Sequence, residues 1–184
     1  PKQFTRALTG ETFPYPTPII DVPQNSAKAE LNRSETSFPL ERQQLKRLYL
    51  NAADMSMGAQ QPAQEAQASY CADDYQDHIT FTHVFDKDTE ITGYMKLHVW
   101  METHEAEDMD VYVRISKLNR EGQSVFHFSR MWEYSGPNGL LRASHRELDP
   151  LRSTENEPVH THDSLLEVHP GKPVALDIGL WPTS

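Results

Sequence analysis

Two stretches of strict alternation, residues 92–101 and 109–118, limit this chain more than any other feature. In the first, Tyr94, Lys96, His98 and Trp100 share one parity, and Gly93, Met95, Leu97, Val99 and Met101 share the other. In the second, Met109, Val111, Val113 and Ile115 are apolar, while Asp110, Tyr112, Arg114 and Ser116 are largely polar. A repeat of two held over such lengths belongs to half-buried antiparallel strands, because successive side chains of a strand point to opposite faces. The acidic segment between them (Glu102, Glu105, Glu107, Asp108, with Asp110 just beyond) cannot continue a buried strand and reads as a solvated hairpin loop. Asn119-Arg120-Glu121-Gly122 then supplies turn chemistry.

Shorter runs carry the same pattern elsewhere. A strand is expected over 44–51, where Leu45, Arg47 and Tyr49 alternate with Lys46, Leu48 and Leu50. A short edge segment follows at 69–74, and a strand at 79–85 with Ile79, Phe81, His83 and Phe85 on one side. Residues 124–134 are rich in aromatics (Phe126, Phe128, Trp132, Tyr134), and 140–145 and 160–168 each suit a short strand. Val174, Leu176, Ile178 and Leu180 alternate along a last strand. Residues 52–68 and 147–159 read as loops, and Ser135-Gly136-Pro137-Asn138-Gly139 and His169-Pro170-Gly171 as turns. No internal repeat and no sustained helical period is present. Short strands separated by turn signals predict an all-β fold, a β-sandwich or jelly roll.

Residues 1–37 differ in kind. Pro1, Pro14, Pro16, Pro18 and Pro23 punctuate them, and Phe13-Pro14-Tyr15-Pro16-Thr17-Pro18 is held extended because each proline turns its predecessor away from helix. The expected organisation is therefore a proline-rich arm or linker over 1–37 and a sandwich over 38–184. A chain that opens on Pro1 is expected to have been processed or excised from something longer.

Composition narrows the function. With 184 residues the chain suits one domain with a sizeable core. A net charge of −10 argues against nucleic acid as the partner, since phosphate binding needs clustered Lys and Arg, and the one such cluster is Arg42, Lys46 and Arg47. No apolar run approaches the roughly 20 residues of a bilayer-spanning helix, so no membrane partner is expected. The single cysteine, Cys71, excludes an internal disulfide and leaves cytoplasm and secretion both open; it reads as a small half-buried residue at a strand start.

Candidate chemistry is sparse. A serine hydrolase needs a Gly-x-Ser-x-Gly elbow, and none occurs; Ser129, Ser135 and Ser144 lack any motif context. His160 and His162, with Asp163, would put two imidazoles on one strand face, and His98 and His104 flank the acidic segment. Zinc needs three or four convergent ligands, so exposed or hydrogen-bonded histidines are the better reading. Glu102, Glu105, Glu107, Asp108 and Asp110 offer carboxylates to calcium but lack the Asp-x-Asp-x-Asp-Gly spacing of the helix–loop–helix site. Trp100, Trp132 and Trp181 would suit a sugar-stacking platform, though aromatics more often fill cores. No catalytic, cofactor-binding or metal-binding residue is assigned.

Several short motifs in a fixed order point further. They are Phe38-Pro39-Leu40, Leu48-Tyr49-Leu50, Asp88-Thr89-Glu90-Ile91-Thr92-Gly93 and Asp108-Met109-Asp110, then Gly139-Leu140-Leu141-Arg142-Ala143-Ser144-His145-Arg146, Leu166 with Pro170-Gly171-Lys172, and Leu180-Trp181-Pro182-Thr183. Together they resemble the C-terminal domain of the X-Pro dipeptidyl-peptidase / cocaine esterase hydrolase family, the CocE/NonD type. The resemblance implies a galactose-binding-like jelly roll that follows an α/β-hydrolase domain bearing a Ser-His-Asp triad. No triad position maps onto this chain. The role implied is non-catalytic: shaping the substrate pocket or the oligomer of a serine hydrolase. The alternative is a stand-alone carbohydrate-binding module on the same fold. Family members continue into further strands beyond the position of Leu180-Trp181-Pro182-Thr183, so an incomplete sandwich with an open edge, and hence a homo-oligomer, is expected.

Overall fold

A computed structural model of the chain describes residues 18–25, 28–125, 127–129, 132–134 and 136–183. Its strands are β1 (Ile19–Asn25), β2 (Lys28–Ser34), β3 (Tyr49–Asn51), β4 (Ser56–Gly58) and β5 (Gly93–Met101). They continue with β6 (Asp110–Arg114), β7 (His127–Ser129), β8 (Trp132–Tyr134), β9 (Asn138–Arg142) and β10 (Val174–Thr183). A single 3-10 turn, Ala143–His145, is the helical element among the described residues. The chain is all-β, in five antiparallel pairs: β1–β2, β3–β4, β5–β10, β6–β9 and β7–β8.

The chain divides into two units, Gln44–Glu90 on one hand and Pro1–Gln43 with Ile91–Ser184 on the other. The core belongs to the second. On β10 every other side chain turns inward, and Leu176, Ile178 and Leu180 are buried. Val99 and Leu97 of β5 stand opposite Leu176 and Ile178 in the ladder. The β6–β9 pair contributes Val111 and Leu141, which are register partners, and Ala143 and Val168 complete the buried set. Leu97, Val99, Met101, Met109, Val113 and Val174 pack around it. Burying a side chain such as Leu176 or Ile178 in full contributes about 1.5–3 kcal/mol each.

The two sheets touch backbone to backbone at one point. A Cβ on Gly139 of β9 would sit 2.3 Å from the carbonyl oxygen of Gly179 on β10. A glycine there is required by space alone.

The alternation in 92–101 and 109–118 matches the buried faces as far as Val113, while the strand ends at Arg114 and Ile115 is exposed; the hairpin expected between the two runs does not form. β5 pairs with β10 and β6 with β9, so the acidic segment crosses from one sheet to the other. Side-chain parity settles which face a residue joins and leaves its neighbour strand open.

Other strand expectations need correction. Of 44–51, just Tyr49–Asn51 is strand. Residues 69–74 are irregular, and 79–85 hold a single parallel bridge from Thr82 to Ser56. Ile79, Phe81 and His83 are still half-buried and alternate with exposed neighbours, so the burial pattern survives where the ladder does not. The run 124–134 holds two strands, β7 and β8, that pair with each other. The strand at 140–145 starts earlier and ends in the 3-10 turn, and 160–168 carries one bridge, Leu148 to His160. Cys71 is exposed and precedes a turn, with its amide on the Asp77 carboxylate. The proline run 13–18 lies outside the described residues apart from Pro18. Within the arm, Ile19–Asn25 and Lys28–Ser34 pair as β1 and β2, and the pairing shifts register twice.

Candidate functional site

The motif residues gather where β6 and β9 start and end. Asp108 precedes β6, and Ser144 follows β9 on the 3-10 turn. The amide of Ser144 donates to Asp108 Oδ1 at 3.0 Å and its hydroxyl to Oδ2 at 2.6 Å. The Met109 amide adds a third donor at 2.9 Å. One step along the ladder, Arg142 grips Asp110 with Nε and Nη2, each at 2.7 Å. Two residues past Ser144, Arg146 reaches the carbonyls of Ala143, Leu166 and Glu167 at 2.9, 3.2 and 2.9 Å. Arg142, Ser144 and Arg146 thus alternate along the chain: the first two fasten the start of β6 to the end of β9, and the third fastens residues 166–167. Asp108, Met109, Asp110 and Arg142 line an open hollow of about 290 Å³ beside this clamp.

The electrostatics suit fastening rather than proton transfer. Burial alone would raise the Asp108 carboxyl, but donation from Ser144 and the amides of Met109 and Ser144 holds it below the ordinary carboxylate range. The Arg142 guanidinium lowers Asp110 likewise, and Asp110 in turn raises Arg142. A general base works best near the operating pH, so a depressed carboxylate is a poor proton acceptor for Ser144. Ser144 is buried, and among the described residues no imidazole hydrogen-bonds its hydroxyl. No nucleophile–base pair is formed there.

A second polar group lies on the outer face of β5–β10. Asp177 takes Lys96 Nζ and His98 Nδ1, both at 3.1 Å. Burial pushes its carboxyl up, and the bonds from Lys96 and His98 outweigh that and hold it low. Trp100 and Trp181 stand on this face, 65% and 68% exposed. Trp100 is paired with Ala175, and Trp181 lies at the other end of β10, roughly 20 Å away at a strand's rise per residue. Two indoles so far apart do not stack on one sugar ring. Trp132 is in β8.

The histidines are redistributed. His162 Nδ1 meets His145 Nδ1 at 3.1 Å, a partner that spacing in the sequence could not reveal. His160 lies alongside, with ring centroids 6.0 Å from those of His162. Among the described residues no group of three His, Cys, Asp or Glu is arranged to hold a metal ion. Of the acidic residues offered to calcium, Asp108 and Asp110 are engaged as above, while Glu102, Glu105 and Glu107 are exposed. In the basic cluster, Arg42 forms a two-pronged bridge to the buried Glu35, at 2.5 Å on each arm. Ser129 is in β7, and Ser135 lies outside the described residues.

The sequence motif drew attention to Arg142, Ser144 and Arg146 as a string. Their alternation was the available signal for three separate anchors. Nothing marked Lys96, His98 and Asp177 as a group, since Asp177 is far along the chain.

Comparison with protein families gives a match over residues 13–184 to the model described as the X-Pro dipeptidyl-peptidase C-terminal non-catalytic domain. Two crystal structures of a CocE/NonD family hydrolase from Staphylococcus aureus are similar in fold, each with a TM-score of 0.86 and 33% sequence identity. The match covers 99% of this chain and 34% of that hydrolase, so the chain spans about a third of its length. A comparison with curated proteins gives no significant match.

Proposed function

On the premise that this chain belongs to the X-Pro dipeptidyl-peptidase C-terminal non-catalytic domain family, we propose that it serves an α/β-hydrolase domain outside it, by walling the substrate pocket or building the oligomer. The hydrolase so served is a serine enzyme acting on ester, amide or X-Pro peptide bonds. The observation that carries this reading is the fate of the motif residues. Asp108, Asp110, Arg142, Ser144 and Arg146 spend their hydrogen-bonding groups on one another and on backbone carbonyls. They build a frame and leave no reactive pair.

The surface agrees with a supporting role. Tyr112 and Leu140 face each other across the β6–β9 ladder on its outer side, 76% and 59% exposed. An exposed apolar pair beside the Asp110–Arg142 bridge suits a protein partner that supplies its own apolar surface. In this reading residues 1–37 are the arm joining the two domains, 38–184 form a jelly roll, and the same outer faces mediate self-association into a homo-oligomer.

The test uses the parent hydrolase carrying this segment. Replacing Tyr112 and Leu140 together by Glu should lower kcat/KM for an X-Pro anilide or a short acyl ester by at least about tenfold, or shift the oligomer to monomer in light scattering. The circular dichroism of the folded protein should stay unchanged. Unaltered kinetics and unaltered assembly would remove these residues from any interface.

A further inference from the structure

We propose that the imidazole pair His145–His162, backed by His160, is an acid-sensitive latch: it fastens residues 162–164 to the 3-10 turn and releases them when both rings carry protons. This inference does not depend on the accessory role. It starts from a contact that tolerates few protonation states. Two ring nitrogens 3.1 Å apart require one N–H donor and one lone pair. When both rings are protonated, two donors and two positive charges face each other at that distance. No arrangement of hydrogens then satisfies the contact.

The surroundings sharpen the effect. His162 adopts φ 55°, a left-handed conformation that non-glycine residues seldom hold unless their environment enforces it. His160 Nε2 is buried with no hydrogen-bond partner. Burial, and then His162 as a neighbouring cation, lower its proton affinity; the Asp177 backbone and carboxylate oppose them without reversing the direction, and His145 adds least. A folded state that binds this proton less tightly than the unfolded chain loses stability as pH falls below the ordinary imidazole value of about 6.5.

The other charges nearby are already occupied. The Glu147 carboxylate accepts the hydroxyls of Thr161 and Ser164. Asp177 is held by Lys96 and His98, and Arg146 points at backbone carbonyls. Asp163 follows His162 directly on the loop. Among the described residues no ion pair joins any of the three rings to a carboxylate that would stabilise them as cations. Release is confined to 162–164, because the Thr161 amide stays bonded to the Glu147 carbonyl at 3.1 Å on one side, and Leu166 to Ser144 at 2.8 Å and to Arg146 on the other.

Hydrogen–deuterium exchange of the purified chain, in EDTA at pH 7.5 and 5.5 and corrected for intrinsic rates, tests the latch. Exchange at 162–164 should rise several-fold on acidification, while β10 stays protected. His162→Asn, which tolerates the left-handed backbone and keeps a donor and an acceptor, and His145→Gln should each reduce that rise, leaving the part that the buried His160 carries. No rise in the wild type, or an equal rise in the variants, overturns the proposal. Should the variants fail to fold, nitrogen-15 spectra of the wild type decide. At pH 7.5 one of the two Nδ1 atoms of His145 and His162 should be protonated and the other bare, and two alike would contradict the latch.

Discussion

Asp108 is the most heavily used side chain of the clamp, accepting hydrogen bonds from the Met109 amide, the Ser144 amide and the Ser144 hydroxyl. Removing it leaves three donors to find other partners at the start of β6. Asp108→Ala should therefore destabilise the fold by about 2–3 kcal/mol in urea denaturation, against about 1 kcal/mol for Ser144→Ala, which strands one oxygen. A value near zero for Asp108→Ala would mean that water replaces the Asp108 carboxylate without loss. The acid limb follows from the same contacts. Asp108 and Asp177 have folded-state values below their ordinary ones, so the unfolded chain takes up their protons first. Their stabilisation is complete above the unfolded value of about 4 and is lost as pH falls through the depressed folded values. Asp108→Asn should flatten the fall in stability below about pH 4; a limb that keeps the wild-type slope would contradict the assignment.

Strands bury one face each and meet where β9 lies on β10. Gly139→Ala puts a methyl 2.3 Å from the Gly179 carbonyl, so the sheets must part, and a loss of about 2–4 kcal/mol is expected by thermal denaturation. Gly58→Ala, with open space around its added methyl, should stay within about 0.5 kcal/mol. Leu176→Ala should cost about 2–5 kcal/mol as a cavity in the core. Much of this was legible beforehand. Parity alone put Leu97, Val99, Met101, Val111, Val113, Leu176 and Ile178 on the inside. Pairing was not legible, because Val99 finds Leu176 across most of the domain, and no local pattern encodes that distance. Residues 79–85 read as a strand from β-branched and aromatic content, yet propensity without a partner strand forms no ladder. The clamp was half legible: its residues, Leu166 among them, stood out as motifs, while Glu167 carried no signal and nothing tied Arg146 to either, because Arg146 reads their backbone. The pairing of His145 with His162 depends on two loops meeting, which spacing does not report.

On the scale of the whole molecule, the chain is an all-β domain of a non-catalytic family, with its core between β5–β10 and β6–β9 and apolar side chains left on both outer faces. Trp100, Trp181, Tyr112 and Leu140 contribute nothing to that core, and exposed apolar groups of this size suit contact with other protein surface. Light scattering at rising concentration should show self-association, and a strict monomer throughout would count against an oligomer built on these faces. The central claim is that the reactive centre lies in another domain, and labelling with a fluorophosphonate probe, read by peptide mass spectrometry alongside turnover of X-Pro anilides and acyl esters, tests it most directly. The account predicts no labelled serine in this chain and no turnover above buffer. A probe adduct on Ser144 or any other serine here, accompanied by turnover that the adduct abolishes, would contradict it.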